Sequence, residues 1–394
     1  MDPFAPAQLG PVTLPNRIIK AATFEGMARN GLVTGALIDF HRAVAAGGAG
    51  MTTLAYLAVS PDGQGAPGEI VVRPEAVPGL ARLADAVHAE GARISAQLGH
   101  AGPVAAGAGR KGLAPSRVFS PMAMRFTRAA TDADIERVVR DFAAGARLLA
   151  DTGIDAVELH MGHGYLLSAF MSPRLNRRTD RWGGTVEHRA RLARRVAETV
   201  RAAVDGRVAV LAKLNMADGV AGGLWLDDSI EVARLLEADG TVDALVLTAG
   251  SSFQNPMYLF RGEAPIREMA AAFPPPINLA FRLFGKRFLV EYPFEEAYLL
   301  PYARQFRAAL DMPLVLLGGV NRLDTIERAL ADGFAFVQMG RALLREPDLP
   351  RRMQEKATTE GLCIHCNKCM PTIYGGTHCV LVRPGERPGH SLER

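Results

Sequence analysis

An α/β chain folded as a (β/α)8 TIM barrel, with long loops after strands 3 and 6 and a short Cys-rich C-terminal extension, is predicted by three observations. Short aliphatic or β-branched runs alternate with longer amphipathic stretches, the runs number eight, and each is apolar almost throughout. Parallel barrel strands read this way because both of their faces are buried. The strands fall at residues 17–22, 51–57, 93–98, 156–160, 208–214, 243–247, 313–317 and 336–339. Helices are expected at 34–46, 75–90, 131–152, 185–204, 227–238, 294–310 and 321–331. Two of them open on acidic residues suited to the positive end of a helix dipole, Thr131-Asp-Ala-Asp and Asp227-Asp-Ser-Ile.

Two stretches are too long for ordinary connections. Residues 99–130 are rich in Gly, Ala and Pro, and residues 251–293 carry Pro274-Pro-Pro with Phe284, Phe288 and Tyr292. Both follow strand C-termini, the end where barrels of this class build their sites, so both are candidate lids or substrate walls. The second reads equally well as an extra helical hairpin packed on the barrel. The barrel is expected to occupy residues 1–356 and the Cys-rich extension residues 357–394, with the stretch from Arg383 as a loose tail.

Composition narrows the function. The 394 residues include 40 glycines and 25 prolines, spread between apolar segments as punctuation, which excludes disordered, collagen-like and coiled-coil classes. The net charge of 45 − 41 = +4 is small and scattered, so no nucleic-acid partner is expected and a small-molecule substrate is. No apolar run approaches the ~20 residues of a membrane span, and the start Met-Asp-Pro-Phe-Ala-Pro lacks the features of a secretory signal. The four cysteines, Cys363, Cys366, Cys369 and Cys379, cluster near the end rather than forming a distributed disulfide framework. That pattern points to a metal or cluster site in a reducing, cytoplasmic setting.

The most informative segment is Val157-Glu-Leu-His-Met-Gly-His-Gly-Tyr-Leu-Leu-Ser. An apolar strand ends and at once offers His160, His163 and Tyr165, with Gly162 and Gly164 permitting a tight turn. Two imidazoles converging on one oxygen stabilise a carbonyl that becomes an enolate, and a nearby phenol supplies a proton to carbon. His-x-x-His by itself is more often a structural or metal-binding pair, so the surrounding motifs decide.

Those motifs are Leu14-Pro-Asn-Arg-Ile-Ile, Val59-Ser-Pro-Asp-Gly, Ala96-Gln-Leu-Gly-His-Ala-Gly, Ala114-Pro-Ser, the His160 segment, Asn176-Arg-Arg-Thr-Asp-Arg-Trp-Gly-Gly and Gly340-Arg-Ala-Leu-Leu-Arg-Glu-Pro-Asp-Leu-Pro. In their order and spacing the chain resembles the old yellow enzyme family of FMN-dependent NAD(P)H oxidoreductases. The resemblance implies an ene reductase. NADH or NADPH reduces FMN, and hydride then passes from N5 to the β-carbon of an α,β-unsaturated carbonyl compound. His160 and His163 match the pair that grips the carbonyl oxygen, Tyr165 the proton donor, and Gln97 the residue at the flavin pyrimidine edge. Lys213 stands where the family usually has arginine, keeping the charge without the planar fork. A barrel lysine is also the nucleophile of a Schiff-base aldolase, and that flavin-free alternative stays open beside a zinc-dependent hydrolase. Gly318, Gly319, Gly340 and Arg341 follow the last two strands, where such barrels bind phosphate. At the first strand, spacing puts Phe24 where the family often has Cys or Thr, with Thr23 beside it; Ala21, Ala22 and Thr23 are expected backbone contacts. Homo-oligomerisation is an expectation from the family alone.

The spacing Cys-x2-Cys-x2-Cys-x9-Cys suits one face of a [4Fe–4S] cube or a tetrahedral metal. It is similar to the loop of the dienoyl-CoA reductase and trimethylamine dehydrogenase branch of the same family, although the last spacing is shorter here. A [4Fe–4S] cluster, zinc with His365 or His378 replacing a sulfur, and free thiols all remain open. With a cluster, a partner would feed electrons to a dienoyl reductase- or demethylase-like reaction.

Overall fold

The computed structural model describes residues 1–105, 111–120 and 125–389. Eight parallel strands close into a barrel: β1 (Ile18–Lys20), β2 (Met51–Ala58), β3 (Arg93–Gly99), β4 (Ala156–Met161), β5 (Ala209–Asn215), β6 (Ala244–Thr248), β7 (Leu314–Leu317) and β8 (Phe336–Met339). Closure is made by β8 against β1, with Gln338 opposite Ile19, and by β1 against β2, with Ile19 opposite Met51. The outer ring is α1 (Gly35–Ala46), α2 (Val77–Ala89), α3 (Asp132–Ala150), α4 (Val186–Val204), α5 (Leu226–Asp239), α6 (Leu300–Ala309) and α7 (Leu323–Ala331).

The near-continuous apolar strands divide by alternation between two cores. Val157, Leu159 and Met161 of β4 join Val210, Ala212 and Leu214 of β5 in the layer between strands and helices. The intervening residues face the barrel axis. Ala156, Ala209, Leu211, Ala244, Val246, Val315 and Phe336 fill its lower end, which an N-terminal hairpin (Ala7–Leu9 with Val12–Leu14) covers with Ala7, Leu9 and Leu14. One step up each strand, the same alternation presents Gln97, Glu158, Lys213 and Gln338 in place of apolar side chains, all buried. The upper half of the interior is therefore polar, and the site stands there.

Local chemistry explains most boundaries. Thr131 caps α3 in a reciprocal box, its hydroxyl accepting from Asp134 N and the Asp134 carboxylate accepting from Thr131 N. The helix expected over 294–310 begins only at Leu300, because Pro301 lacks an N–H and is tolerated only in a first turn. Phe294 stacks instead on His365, ring centroids 3.3 Å apart. Strand β1 ends at Lys20 rather than at residue 22.

The long segment after β6 resolves in favour of the helical reading: Pro256–Phe260, Ile266–Ala271 and Ile277–Phe284 are helices. The stretch from Arg383 is not a loose tail as far as Gly389, where a β-carbon would meet Ala36 O at 2.4 Å; its last residues, 390–394, lie outside the described residues. Among the described residues, no helix is long and apolar enough to cross a membrane.

Candidate active site

Strand β4 delivers its side chains to the barrel mouth through a strained turn. His163 adopts the left-handed region at φ 60°, rare for a residue with a β-carbon, and Gly164 follows at φ 77°. The turn is held from below: Asn215 Oδ1 accepts from His163 N at 3.2 Å, and its amide donates to Asp218 Oδ1 and Gly250 O. Gly162 serves close approach, since a β-carbon there would sit 3.0 Å from Thr248 Cγ2.

The result is an aromatic cluster. The His160 ring lies 5.1 Å from that of His163 and 4.3 Å from that of Tyr165. Tyr56 completes it, 5.3 Å from Tyr165 and anchored by its hydroxyl donating to Gly63 O at 2.7 Å. Tyr56 had no signal in the sequence; a register shift in β2 between Leu54 and Leu57 accompanies its place at the mouth. Burial, helped by the charge of Lys213, holds the His163 imidazole down to about 3, and burial with His163 and Lys213 pushes His160 well below the ordinary range. Both rings are therefore neutral at pH 7. Burial, then the charge of Glu69, pushes the Tyr165 phenol upward, so it keeps its proton. His160 Nδ1 is buried with no hydrogen-bond partner among the described residues, while His163 Nε2 lies 2.8 Å from Thr248 Oγ1.

Below the histidines sits Glu158, the largest omission from the sequence reading. Its Oε1 pairs with Lys213 Nζ at 2.8 Å and accepts from Gln97 Nε2 at 2.7 Å, and its Oε2 accepts from Gln338 Nε2 at 3.0 Å. The Lys213 ammonium is thus engaged by a carboxylate, not set free as a Schiff-base amine. With its NH2 committed to Glu158, Gln97 keeps its carbonyl oxygen to accept the N3–H of a flavin, and Lys213 keeps further N–H donors for the flavin O2 edge. The donor set fits the pyrimidine end of FMN.

The end of β1 meets the end of β8: Ala21 N donates to Met339 O at 2.9 Å, and the space around Gly340 is bounded by Thr23 and Ala21 at 3.8 and 4.0 Å from a virtual β-carbon. Thr23 Oγ1 accepts from Lys20 Nζ at 2.8 Å, and Lys20 pairs with buried Glu25 at 3.0 Å. Ala22 packs with Tyr165 against the Tyr56 cluster. Gly318 and Gly319 take φ 111° and 77°, with virtual β-carbons 2.6 Å from Leu299 and Tyr298, so neither position admits a side chain. Arg341 donates to Arg261 O at 2.9 Å and to Asn367 Oδ1, with no carboxylate partner among the described residues.

The cysteine loop lies directly behind Arg341. Cys363, Cys366, Cys369 and Cys379 line one small cavity with Arg341, Arg345 and Asn367. Burial pushes the Cys369 thiol up to about 12 and moves Cys363 the same way. Among the described residues no three His, Cys, Asp or Glu side chains converge as a metal-binding group. His365 is committed to its stack on Phe294, and His378 Nδ1 lies 2.7 Å from Gly376 O.

Glu69 gives a pH signature. Its carboxyl is buried, accepts from Gly65 N at 2.6 Å, forms no ion pair among the described residues, and is pushed by burial from 4.5 up to about 7 against the opposing pull of the Gly65 and Ala66 backbone N–H groups. Because the folded value lies above the unfolded one, the stabilisation is complete below pH ~4.5 and lost as pH rises through ~7. Glu69→Gln is therefore expected to exceed the wild type in stability at pH 8 by on the order of 2–3 kcal/mol, a gap that closes toward pH 5. Urea unfolding at both pH values measures it, and a pH-independent difference contradicts it.

Comparison with known proteins agrees with this geometry. The family model described as NADH:flavin oxidoreductase / NADH oxidase family matches residues 2–249. The chain is 56% identical over 380 residues to the 4,4'-dithiodibutanoate disulfide reductase of Rhodococcus erythropolis, covering 96% of this chain and 94% of that one. It is 30% identical to the NADPH dehydrogenase of Listeria innocua, covering 93% and 97%. The solved old yellow enzyme homologue from Zymomonas mobilis superposes with a TM-score of 0.71 at 25% identity, over 93% of this chain and 96% of that one. A barrel of this architecture, matched over this length, belongs to the NADH:flavin oxidoreductase / NADH oxidase family of old yellow enzymes, and the chain is an FMN-dependent NAD(P)H oxidoreductase.

Proposed function

We propose that the chain reduces the activated C=C bond of α,β-unsaturated carbonyl compounds, with NADH or NADPH as the electron source. The observation that carries this reading is the cluster of His160, His163 and Tyr165, neutral and protonated at pH 7, at the barrel mouth. FMN, when bound, supplies hydride from N5. Gln97 and Lys213 hold its pyrimidine edge, Ala21, Ala22 and Thr23 its near side, and Gly318, Gly319, Gly340 and Arg341 its phosphate. We assign His163 the Nδ1–H tautomer, in which the Thr248 hydroxyl donates across 2.8 Å to Nε2 and the ring N–H is left for the substrate. His160 and His163 each present one N–H to the carbonyl oxygen and stabilise the charge that develops there, a contribution of ~3 kcal/mol for one well-placed donor. Tyr165 delivers its proton to the α-carbon as hydride reaches the β-carbon.

A second reading is favoured by the 56% identity to a disulfide reductase. Hydride added to one sulfur of an organic disulfide breaks the S–S bond; one half leaves as thiol and the other as thiolate, which Tyr165 protonates. The cysteine loop is where a [4Fe–4S] cluster or zinc would be held, and iron, sulfide and zinc analysis of anaerobically purified protein decides between them and free thiols. The deciding experiment mixes purified, yellow protein anaerobically with NADPH and either 2-cyclohexenone or 4,4'-dithiodibutanoate. Formation of the saturated ketone is expected. Consumption of NADPH with the disulfide alone replaces the first reading by the second, and consumption with neither removes both.

A further inference from the structure

Arg261, in the segment after β6, has a guanidinium with no hydrogen bond and no ion pair among the described residues, and its Nε is buried without a partner. Other partly buried arginines of the chain are differently placed: Arg189 pairs with Asp228, Arg178 with Asp180 and Arg352 with Glu346. Arg261 instead lies against three tyrosine rings, its Cζ 4.9 Å from the centroid of Tyr258, 5.1 Å from Tyr292 and 5.5 Å from Tyr298. The rings pack against the guanidinium without neutralising it.

The position is held on purpose by neighbours. Its backbone takes φ 48°, and its carbonyl accepts from Arg341 Nη1 and Asn367 Nδ2, both at 2.9 Å. Arg341, the cation already placed at the phosphate loops, therefore touches the residue that carries the second one. The charges of both arginines act on the Tyr298 phenol, whose ring lies against the position a Gly319 side chain would take. Two guanidinium groups that share Tyr298 as a neighbour, neither paired with a carboxylate among the described residues, repel each other, and an oxyanion reached by both removes that cost.

We propose that Arg261 is a second arginine of the flavin-phosphate site, so that a phosphate monoester dianion is bound by Arg261 and Arg341 together. Phosphate is favoured over a substrate carboxylate because the Arg261 carbonyl holds Arg341, which follows β8, and the Arg261 guanidinium shares the Tyr298 ring with Gly319 of the turn after β7, the phosphate end of such barrels. The same arrangement ties the cysteine loop to the flavin tail, since Asn367 bonds both Arg341 and the Arg261 and Glu263 carbonyls.

The test is binding, not turnover. Holoenzyme is stripped of flavin, and wild type, Arg261→Gln, Arg261→Lys and Arg341→Gln are titrated with FMN and with riboflavin, following flavin fluorescence. Arg261→Gln is expected to weaken FMN by about tenfold or more while changing riboflavin by less than about twofold, with Arg261→Lys between the two. Unchanged FMN affinity, or equal loss of FMN and riboflavin, overturns the proposal. So does a variant that binds FMN normally but shows a raised KM for 4,4'-dithiodibutanoate and not for its dimethyl ester, which would make Arg261 a substrate-carboxylate residue. The inference rests on flavin binding alone. A chain that holds FMN through Arg261 but reduces neither enone nor disulfide would fail the functional reading and still uphold this one.

Discussion

Tyr165→Phe is expected to reduce its flavin with NADPH at the wild-type rate and to process cyclohexenone about 10²–10⁴-fold more slowly, the range for loss of a positioned general acid. The substitution removes one oxygen and little else. The ring contacts with His160 at 4.3 Å and Tyr56 at 5.3 Å survive in phenylalanine, so the pocket keeps its shape. Burial and the charge of Glu69 both hold the proton on the Tyr165 phenol, so in the wild type it is present throughout the neutral range. Only the oxidative half-reaction uses that proton. Stopped-flow measurement of the two half-reactions separates the outcomes: unchanged enone turnover removes Tyr165 from its role, and loss of the NADPH step would mean that the residue shapes flavin or nicotinamide binding instead.

What the sequence made legible follows from what alternation and spacing encode. Eight apolar runs give eight strands because burial on both faces leaves a continuous apolar signal, and the barrel closes as expected. His160, His163 and Tyr165 are legible because they are close in the chain, so a single turn suffices to gather them. Glu158 was illegible for the opposite reason. Its position within β4 marks it as inward-facing, but a buried carboxylate is tolerable only with partners, and those come from β3, β5 and β8, far away in sequence.

Arg261 is hidden in the same way, since its meaning lies in three tyrosines and in the lack of an ion pair among the described residues, neither of which is a local pattern. The cysteine cluster was obvious as a cluster, yet its docking on Arg341 through Asn367 had no counterpart in spacing. Helix α6 starts at Leu300 rather than at residue 294 because the aromatic residues before it carry a helical spacing, while Phe294 is taken up in its stack on His365.

The buried pair of Glu158 and Lys213 makes the second large prediction. Glu158→Gln leaves the Lys213 ammonium inside the barrel without its counter-charge, and removing one member of a buried pair typically costs 3–5 kcal/mol. The amide can still accept from Gln97 or Gln338, so the loss reports the charge more than the hydrogen bonds. Adding Lys213→Met to Glu158→Gln takes away the stranded charge and is expected to recover more than half of that loss, a coupling that a double-mutant cycle reads directly. Urea unfolding of flavin-stripped protein is the appropriate measurement, because weaker cofactor binding would otherwise add to the difference. The same pair governs the cofactor. With its charge uncompensated, Lys213 attracts an anionic flavin edge more strongly, so FMN bound to Glu158→Gln is expected to show a higher reduction potential than in the wild type. Additive stability losses in the cycle, together with an unchanged potential, would show that Glu158 serves only as a hydrogen-bond acceptor for the two glutamines.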